Sequence, residues 1–374
     1  MEAPMKATKR ICVFCERWES GGIESFLCNV LRRADLSGLE VDLVAARLDS
    51  SVFTQPLQDC GVRFYQLSGK QNDLAANHRM FRALLQQRQY DVVHLNIFQG
   101  MSLYYAHLAK QAGVPVRIAH SHNTDLRQSL TRPLKLWLHR RYARRYTGDA
   151  TALWACSQRA AEFMFPARLL QARGYTFIPN GIDTGRFRFD PAARDAARQE
   201  LGLADQFVMG SVGRLCYQKN QAFLLDVMAE AIKLRPDCRL LLVGEGEDRP
   251  ALEEKAKALG IADRVIFYGT TNQVERLFWA MDVLAFPSRF EGLPVVAVEA
   301  QAAGLPIVCS EHITNQAFIT PNVQQLPLSA GAAEWAAALL NCTSGERQSA
   351  HEAVARAGFD VACVASTVET TFRG

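Results

Sequence analysis

Residues 10–34, RICVFCERWESGGIESFLCNVLRRA, contain one complete strand–loop–helix unit. The run RICVFCE at 10–16 is short and mostly apolar, which predicts a buried strand. Two glycines follow, and GIESFLCNVLRRA at 22–34 carries its apolar residues at helical spacing. A strand that leads through a glycine loop into a helix is the repeating unit of a parallel sheet covered by helices.

The same unit recurs in both halves of the chain. Between the halves, residues 179–195 are rich in Pro, Gly and Asp, which indicates an interdomain linker. We therefore predict an α/β protein with two Rossmann-like, doubly wound parallel-sheet domains that face each other across a cleft. The further strands are predicted at 41–46, 62–67, 91–96, 116–121 and 152–157, and then at 207–213, 239–245, 265–269, 282–288 and 306–310.

The domain boundaries follow from this pattern. We predict an N-terminal Rossmann-like domain over 1–188 and a C-terminal Rossmann-like domain over 189–358. A closing helix at 359–374 is expected to pack back on the N-terminal domain. Neither a secretory signal nor a membrane-spanning apolar run is recognisable in the sequence. We therefore expect a cytoplasmic location, or peripheral attachment to the inner face of the cytoplasmic membrane.

The ten cysteines are scattered through apolar surroundings and are expected to be buried thiols. Cys12 and Cys15 have C-x-x-C spacing, but no second Cys or His pair stands at ligand spacing. We therefore predict no metal site there.

Positive charge is concentrated in the first half of the chain. Residues 1–190 hold 26 Lys and Arg against 16 Asp and Glu, while the whole chain has a net charge of +4. A basic amphipathic helix at 127–145 would contact an anionic membrane surface. The alternative is a surface helix with Trp137 and the leucines packed inward. Nucleic acid is not expected, because no nucleic-acid-binding motif accompanies the segment. Its basic residues are Arg127, Arg132, Lys135, Arg140, Arg141, Arg144 and Arg145.

Two segments of the second half place charged side chains after predicted strands. EGLPVVAVE at 291–299 carries Glu291 in a loop and Glu299 two turns along the following helix, where both carboxylates can accept hydrogen bonds from sugar hydroxyls. GRLCYQKN at 213–220 carries Arg214 and Lys219, two cations suited to a diphosphate. The alternative in each case is a solvated loop or helix face.

Weaker signals occur at three other strand ends. Gly21 and Gly22 let a backbone approach a phosphate or sugar at a helix N-terminus, or simply form a tight turn. VGEG at 243–246 is an incomplete dinucleotide fingerprint. His120 and His122 end a strand, where a neutral imidazole can bind a sugar, although an isolated histidine is often structural.

Taken together, these segments resemble glycosyltransferase family 4, the retaining enzymes of GT-B fold that include many polysaccharide and lipopolysaccharide transferases. The matches follow the family's order along nearly the whole chain. They are ESGGIESFL, VRIAHSHN, Cys156-Ser157, IPNGID with Phe187, GRLCYQKN, VGEGEDR, VIFYGTTNQV and FPSRFEGLPVVAVEA.

The resemblance implies a role for individual residues. Arg214 and Lys219 would bind the departing diphosphate, Glu291 would lie near the donor sugar, and His122, favoured over His120, would contact that sugar. The family works without a bound metal or other cofactor. The remaining residues implied to bind the donor are Gly21, Gly22, Gly213, Gly244, Thr270, Val274, Gly292, Leu293 and Glu299, with Glu299 on the ribose and 270–274 at the base.

The resemblance also implies the reaction and its partners. The N-terminal domain at 1–188 would bind the acceptor, and the C-terminal domain at 189–358 would bind the nucleotide sugar. A sugar would pass from a nucleoside diphosphate, UDP by default, to a saccharide or lipid-linked acceptor, with attack on the face that the diphosphate leaves. Two alternatives remain at this point. One is a non-hydrolysing nucleotide-sugar epimerase with the same cleft, and the other is an inert, transferase-like binding subunit.

Overall fold

A computed structural model describes residues 8–19, 21–126, 131–342 and 347–374. The chain divides into two compact units. The first unit comprises Met1–Gly181 and Val361–Gly374, and the second comprises Ile182–Asp360. Each unit has one parallel sheet with its own hydrophobic core.

The first unit is built on a seven-stranded parallel sheet of order β3-β2-β1-β4-β5-β6-β7. The central strands β1 and β4 have almost wholly buried side chains, as expected for a sheet covered on both faces. The order reverses between β1 and β4, which makes this pair the switch point of the sheet. The strands are β1 Lys9–Trp18, β2 Leu39–Leu48, β3 Arg63–Gln66, β4 Val92–Ile97, β5 Val116–Ser121, β6 Ala152–Ala155 and β7 Thr176–Phe177.

Helices cover this sheet, and the last helix of the chain belongs to the same unit. Helix α15, Val361–Arg373, contributes Val364, Val368 and Phe372 to the core and packs against α1 and β1. The other helices are α1 Gly22–Leu31, α2 Thr54–Gln58, α3 Leu74–Arg88, α4 Tyr104–Gln111, α5 Arg132–Tyr146, α6 Gln158–Met164 and α7 Ala167–Arg173.

The second unit has a six-stranded parallel sheet of order β10-β9-β8-β11-β12-β13, with its switch point between β8 and β11. The strands are β8 Val208–Val212, β9 Arg239–Val243, β10 Val265–Gly269, β11 Val283–Phe286, β12 Ile307–Ser310 and β13 Val323–Leu326. The helices are α8 Pro191–Glu200, α9 Gln221–Leu234, α10 Arg249–Ala258, α11 Val274–Ala280, α12 Val295–Ala302, α13 Gly331–Asn341 and α14 His351–Val354.

The units meet earlier in the chain than the predicted boundary at 188/189, and the second unit ends later than the predicted 358. Ile182 forms a bridge with Asp360, whose carboxylate accepts hydrogen bonds from the amide and hydroxyl of Thr184. Phe187 packs its ring against Phe278, with centroids 6.0 Å apart. These contacts place the segment after Gly181 in the second unit.

Two strands were not predicted, because their sequences lack a strand pattern. β7 has only two residues, and β13 reads VQQL, with a pair of glutamines at its centre. Among the described residues, none of the helices combines the length and apolar character needed to cross a bilayer.

Candidate active site

Three loops of the second unit lie side by side because of its strand order. β8 lies between β9 and β11, so the segments that follow these three strands leave from the same sheet edge. They are residues 213–220, 244–248 and 287–294. Ligands of doubly wound sheets bind at the carboxyl edge beside the switch point, which here separates the first and third of these loops.

A buried ion pair joins the loops across the switch point. Lys219 Nζ lies 2.8 Å from Glu291 Oε1, and the two side chains are only 17% and 8% exposed. Lys219 Nζ also lies 5.1 Å from the ring centre of Phe286, the last residue of β11. Removal of either partner from such a pair would leave the other charge poorly hydrated, which is costly. The sequence placed these residues in separate motifs, and the fold brings them into contact.

Side chains that the sequence analysis did not single out fix this pair in place. Gln218 donates from Nε2 to the carbonyl of Phe290 at 2.9 Å and to Glu291 Oε2 at 3.4 Å. Arg289 donates from Nη2 to Asn220 Oδ1 at 2.8 Å, and its guanidinium lies 4.5 Å from the ring centre of Tyr217. These contacts hold the two loops in one arrangement. No sequence signal identifies them, since they depend on which strands are neighbours.

Glycines allow the strand ends to approach closely. Gly213 has φ +145°, and a Cβ there would lie 3.1 Å from the side chain of Lys219. Gly244 has φ +132°, and a Cβ there would collide with the carbonyl of Gly213. Gly246, to which the sequence motifs assign no role, is equally close to the backbone of Leu215. Only glycine fits at these positions, and the glycines therefore allow the backbone segments at this sheet edge to lie against one another.

Arg214 differs from Lys219 in its surroundings. Its Nε lies 2.9 Å from Glu247 Oε2, and the two side chains are 70% and 57% exposed. An exposed pair of this kind is weak, because water screens both charges. Arg214 can therefore leave Glu247 at little cost and turn to an anion that arrives at the sheet edge.

The helix that carries Glu299 begins at the same edge. α12 follows Gly292, Leu293 and Pro294, and its cap residue Pro294 supplies no side-chain hydrogen bond to the first-turn amides. Leu293 is buried and Gly292 is half-buried. A helix N-terminus carries a partial positive charge and donates backbone hydrogen bonds, so anions are favoured there.

Glu299 lies among charged groups near the end of α12. Burial raises its pKa to about 7, with Arg186 opposing the shift and Glu275 adding to it. Arg186 itself pairs with Glu275 at 2.6 Å and donates to the carbonyl of Asn272. Arg186 thus links the linker segment, the loop at 270–274 and α11. No sequence motif identifies Arg186 or Glu275 as a site residue.

The loop at 270–274 presents a mixed surface. Thr270 is exposed, and Val274 is half-buried at the first position of α11. Thr271 Oγ1 accepts a hydrogen bond from the amide of Gln273 at 3.0 Å, which stiffens the turn between these two residues.

The glycine loop of the first unit leads directly into α1. Gly21 caps the helix, and a Cβ there would come within 2.7 Å of Glu24 Oε2. Apart from its chain neighbours and the backbone of its own helix, no described atom lies within 4 Å of the Cβ position of Gly22. Burial raises the pKa of Glu24. Gly21 is therefore close to a carboxylate, while the space beside Gly22 is open.

The two histidines at the end of β5 have different environments. His120 is fully buried, and its Nδ1 lies 3.1 Å from Nε2 of His94 in a stacked pair. His122 is half-buried, and burial together with His94 lowers its pKa to about 3. Its Nε2 lies 2.9 Å from Oδ1 of Asn96, whose amide nitrogen donates to the carbonyl of Phe14. This orientation puts the proton on Nε2 of His122 and leaves Nδ1 as an acceptor.

The basic helix α5 packs on the first unit through His139 and Ala143. His139 Nδ1 accepts a hydrogen bond from the amide of Gly100 at 2.8 Å. Trp137 and Leu134 are 58% and 60% exposed, so the alternative in which Trp137 and all the leucines pack inward is wrong. The buried positions of the helix are taken by smaller or polar side chains. Arg127 lies outside the described residues.

Within residues 8–19, 21–126, 131–342 and 347–374, no group of three or more His, Cys, Asp or Glu is suited to hold a metal ion. Cys12 and Cys15 are buried in β1, and burial raises the pKa of both thiols. Cys60 and Cys363 are exposed, contrary to the expectation that the cysteines are buried. A reaction without a metal stays a prediction.

The predicted site residues therefore form two groups. The first unit holds Gly21, Gly22 and His122, and the second holds the rest. Within the second unit, the strand order puts the loops that carry Gly213, Arg214, Lys219, Gly244, Glu291, Gly292 and Leu293 beside one another.

The fold is that of the GT-B glycosyltransferases. The crystal structure of Anabaena Alr3699/HepE in complex with UDP matches this chain with a TM-score of 0.77 at 22% identity, covering 98% of this chain and 99% of that one. The two Rossmann-like domains predicted from the strand pattern, and the GT-B fold that the family resemblance implies, are thereby confirmed.

Sequence comparisons identify the family. The family described as glycosyl transferases group 1 matches residues 193–357, and the glycosyl transferase 4-like domain matches 21–181. EpsF of Bacillus subtilis (strain 168), itself assigned as a glycosyltransferase only provisionally, is 31% identical and covers 94% of this chain and 93% of its own length. An Escherichia coli protein, UDP-Gal:alpha-D-GlcNAc-diphosphoundecaprenol alpha-1,3-galactosyltransferase, is 28% identical over 63% of this chain and 62% of its own length. The chain belongs to glycosyltransferase family 4, the group 1 glycosyltransferases, and is an enzyme of that class.

Proposed function

We propose that the enzyme is a retaining glycosyltransferase that moves a sugar from a UDP-sugar to a saccharide or lipid-linked acceptor in cell-envelope polysaccharide synthesis. The observation that carries the proposal is the buried Lys219–Glu291 pair at the switch point of the second sheet, 2.8 Å between Nζ and Oε1. The pair places Lys219, a cation suited to bind the diphosphate, beside Glu291, a carboxylate suited to accept hydrogen bonds from sugar hydroxyls.

The choice of donor and acceptor is supported by similar proteins. HepE was crystallised in complex with UDP. The Escherichia coli galactosyltransferase is named for a UDP-sugar donor and a diphosphoundecaprenol-linked acceptor. For this chain we propose UDP as the nucleotide, with Glu299 accepting hydrogen bonds from the ribose and the loop at 270–274 against the base.

The chemistry proposed for the site is substitution on one face of the sugar. The bond between the anomeric carbon and the diphosphate oxygen breaks, and the acceptor oxygen bonds to that carbon from the same side. The acceptor's proton passes to the departing diphosphate oxygen. Lys219, Arg214 and the N-terminus of α12 stabilise the charge that develops on the leaving group.

Two residues are proposed to bind the donor sugar directly. Glu291 accepts hydrogen bonds from its hydroxyls, and His122 presents the neutral acceptor Nδ1 to it. In this reaction neither Glu291 nor Glu299 is required as a nucleophile, in contrast to the catalytic carboxylate of retaining glycosidases. Gly21, Gly22, Gly213, Gly244, Gly292 and Leu293 are proposed to let the backbone approach the donor.

A nucleotide-sugar screen tests the proposal. UDP at 100 times its Kd is expected to stabilise the protein by about 2.7 kcal/mol, and UDP release from one UDP-sugar should follow. Lys219→Ala and Glu291→Ala should abolish transfer. Lys255→Ala is the matched control, because Lys255 pairs with Asp226 at 2.7 Å on α10 and α9, outside the proposed site.

Three outcomes would contradict the proposal. They are stabilisation by GDP and not by UDP, full transfer activity in Lys219→Ala and Glu291→Ala, or an epimerised UDP-sugar with no transfer product.

A specific observation also supports a membrane partner for α5. Trp137 and Leu134 are exposed, and Arg141 lies over the ring of Trp137 at 5.8 Å. Apolar side chains between basic ones are suited to an anionic bilayer surface. Trp137→Ser should weaken binding to phosphatidylglycerol-containing vesicles about tenfold, whereas Leu234→Ser, at an equally exposed position of α9, should not. Equal binding by both variants would contradict this partner.

A further inference from the structure

A small cavity of mixed polarity lies at the switch point of the first sheet, where no role has yet been assigned. Its volume is about 90 Å³. Glu16 of β1 and Gln99, which follows β4, line it from the two strands of the switch point, and Gln71 and Asn72, which follow β3, line it from a third. Switch points are where doubly wound sheets bind their ligands. Gly21, Gly22 and His122 are not among the residues that line it.

The most polar wall of the cavity is the carboxylate of Glu16, whose side chain is 6% exposed. Ser102 donates its hydroxyl to Oε1, and Gln99 donates from Nε2 to Oε2 at 3.1 Å. An ionised carboxylate accepts about four hydrogen bonds. The backbone of Phe98 and the exposed side chain of Gln71 also hydrogen-bond to Glu16, so a ligand hydroxyl reaches the carboxylate by displacing Gln71.

Another wall of the cavity is formed by rings and apolar side chains. Tyr105 packs on Phe14 with ring centres 4.2 Å apart, and His78 lies 5.0 Å from Tyr105. Leu74 and Met101 complete this wall. A cavity lined by both hydrogen-bonding groups and aromatic rings matches a pyranose, which has hydroxyls at its rim and C–H groups on its faces.

Charge and size restrict the ligand further. The described residues that line the cavity include the carboxyl group of Glu16 but neither Lys nor Arg, so a phosphate or a uronate would find no cation there. A volume of about 90 Å³ equals that of about three water molecules in the liquid. The cavity therefore takes one edge of a sugar ring rather than the whole ring.

We infer that this cavity is a subsite for the acceptor, in which a neutral hexose residue inserts one edge and donates hydroxyl hydrogen bonds to Glu16. Gln99 orients the carboxylate and offers its own amide to the same sugar. That the bound sugar belongs to the acceptor rests on the proposed function, whereas the binding of a neutral sugar at Glu16 does not.

Saturation-transfer-difference NMR on the full chain tests the inference with millimolar glucose, galactose, mannose and N-acetylglucosamine as probes, and glucuronate as the anionic comparison. At least one neutral sugar should bind, and glucuronate should bind at least tenfold more weakly. Glu16→Gln keeps the shape of the side chain and should weaken neutral-sugar binding about tenfold. Asp149→Asn is the matched control, because Asp149 pairs with His107 and Lys110 at the amino edge of the same sheet.

A second variant covers the case in which Glu16→Gln does not fold. Gln99 is half-buried at the cavity, and Gln99→Ala should weaken binding about fivefold. UDP stabilisation measured in parallel should be equal in all variants. If UDP fails to bind the wild type, the proposed function is wrong whatever the sugars do. If UDP binds but no neutral sugar does, or sugar binding is the same in Glu16→Gln, Gln99→Ala and Asp149→Asn, the inference alone is overturned.

Discussion

The Lys219–Glu291 pair makes a quantitative prediction about Glu291→Gln, which removes the negative charge and keeps the shape of the side chain. Breaking a fully buried ion pair at one partner costs roughly 3–5 kcal/mol. The 17% exposure of Lys219 and its contact with Phe286 reduce the expected loss in unfolding free energy to about 2–3 kcal/mol. For a unit of this size the melting temperature should fall by about 5–10 °C.

UDP should raise the melting temperature of Glu291→Gln by an amount that would not be expected if the pair had only a structural role. The diphosphate supplies the negative charge that the substituted side chain lacks, so UDP should raise the melting temperature of Glu291→Gln by more than that of the wild type. Lys219→Met removes the cation instead, and UDP affinity should fall at least tenfold. Differential scanning calorimetry with and without UDP measures both effects.

The control for these measurements is the Lys255–Asp226 pair, whose side chains are 34% and 40% exposed. Asp226→Asn should cost no more than about 1 kcal/mol and leave the UDP response unchanged. A role of the Lys219–Glu291 pair in stability and UDP binding is refuted if Glu291→Gln is no less stable than Asp226→Asn, or if UDP stabilises Glu291→Gln less than the wild type.

Three further predictions concern Glu299, Gly244 and His122. Because the folded chain holds the pKa of Glu299 at about 7, above the ordinary 4.5, ionisation of Glu299 lowers stability as pH rises through this range; Glu299→Gln should flatten that part of the pH–stability curve. Uridine, which has no phosphate to titrate, should bind the wild type more tightly as pH rises to about 7, and calorimetry should show no such trend in Glu299→Gln. Gly244→Ala should cost about 3 kcal/mol in chemical denaturation, against about 1 kcal/mol for Gly260→Ala, where φ is +68° and no described atom lies within 4 Å of the Cβ position. His122→Ala should lower the transfer rate at least tenfold in a UDP-release assay and leave UDP binding unchanged; an unchanged rate would remove His122 from the site.

The fold was predictable because its long strands are apolar runs followed by amphipathic helices. β5 and β10 begin and end at the predicted residues, whereas β1 extends beyond the predicted 10–16 at both ends. β7 and β13 were missed because a two-residue strand and VQQL contain too few apolar residues to form a pattern. The domain boundary was placed too late because the Pro- and Gly-rich composition of 179–195 does not reveal that Ile182 pairs with Asp360.

The site was predictable as motifs but not as a geometry. Lys219 and Glu291 were each identified, but their contact depends on β8 being the neighbour of β11, which no local pattern specifies. Arg186 and Glu16 were missed for the same reason, since their partners lie on other strands and loops. The sequence leaves open whether Trp137 is exposed or packed inward, because a basic helix with interleaved apolar residues can turn either face outward. The inward-packed alternative is the wrong one.

The central claim is that a sugar leaves UDP with its anomeric configuration retained. Its most direct test is ¹H NMR of the slow, acceptor-free hydrolysis of the UDP-α-hexose that gives the greatest UDP release, followed before the free sugar mutarotates. Front-face attack predicts that the α-hexose appears first and that Lys219→Ala releases none. Initial release of the β-hexose, or no consumption of any UDP-hexose tested, would contradict the claim.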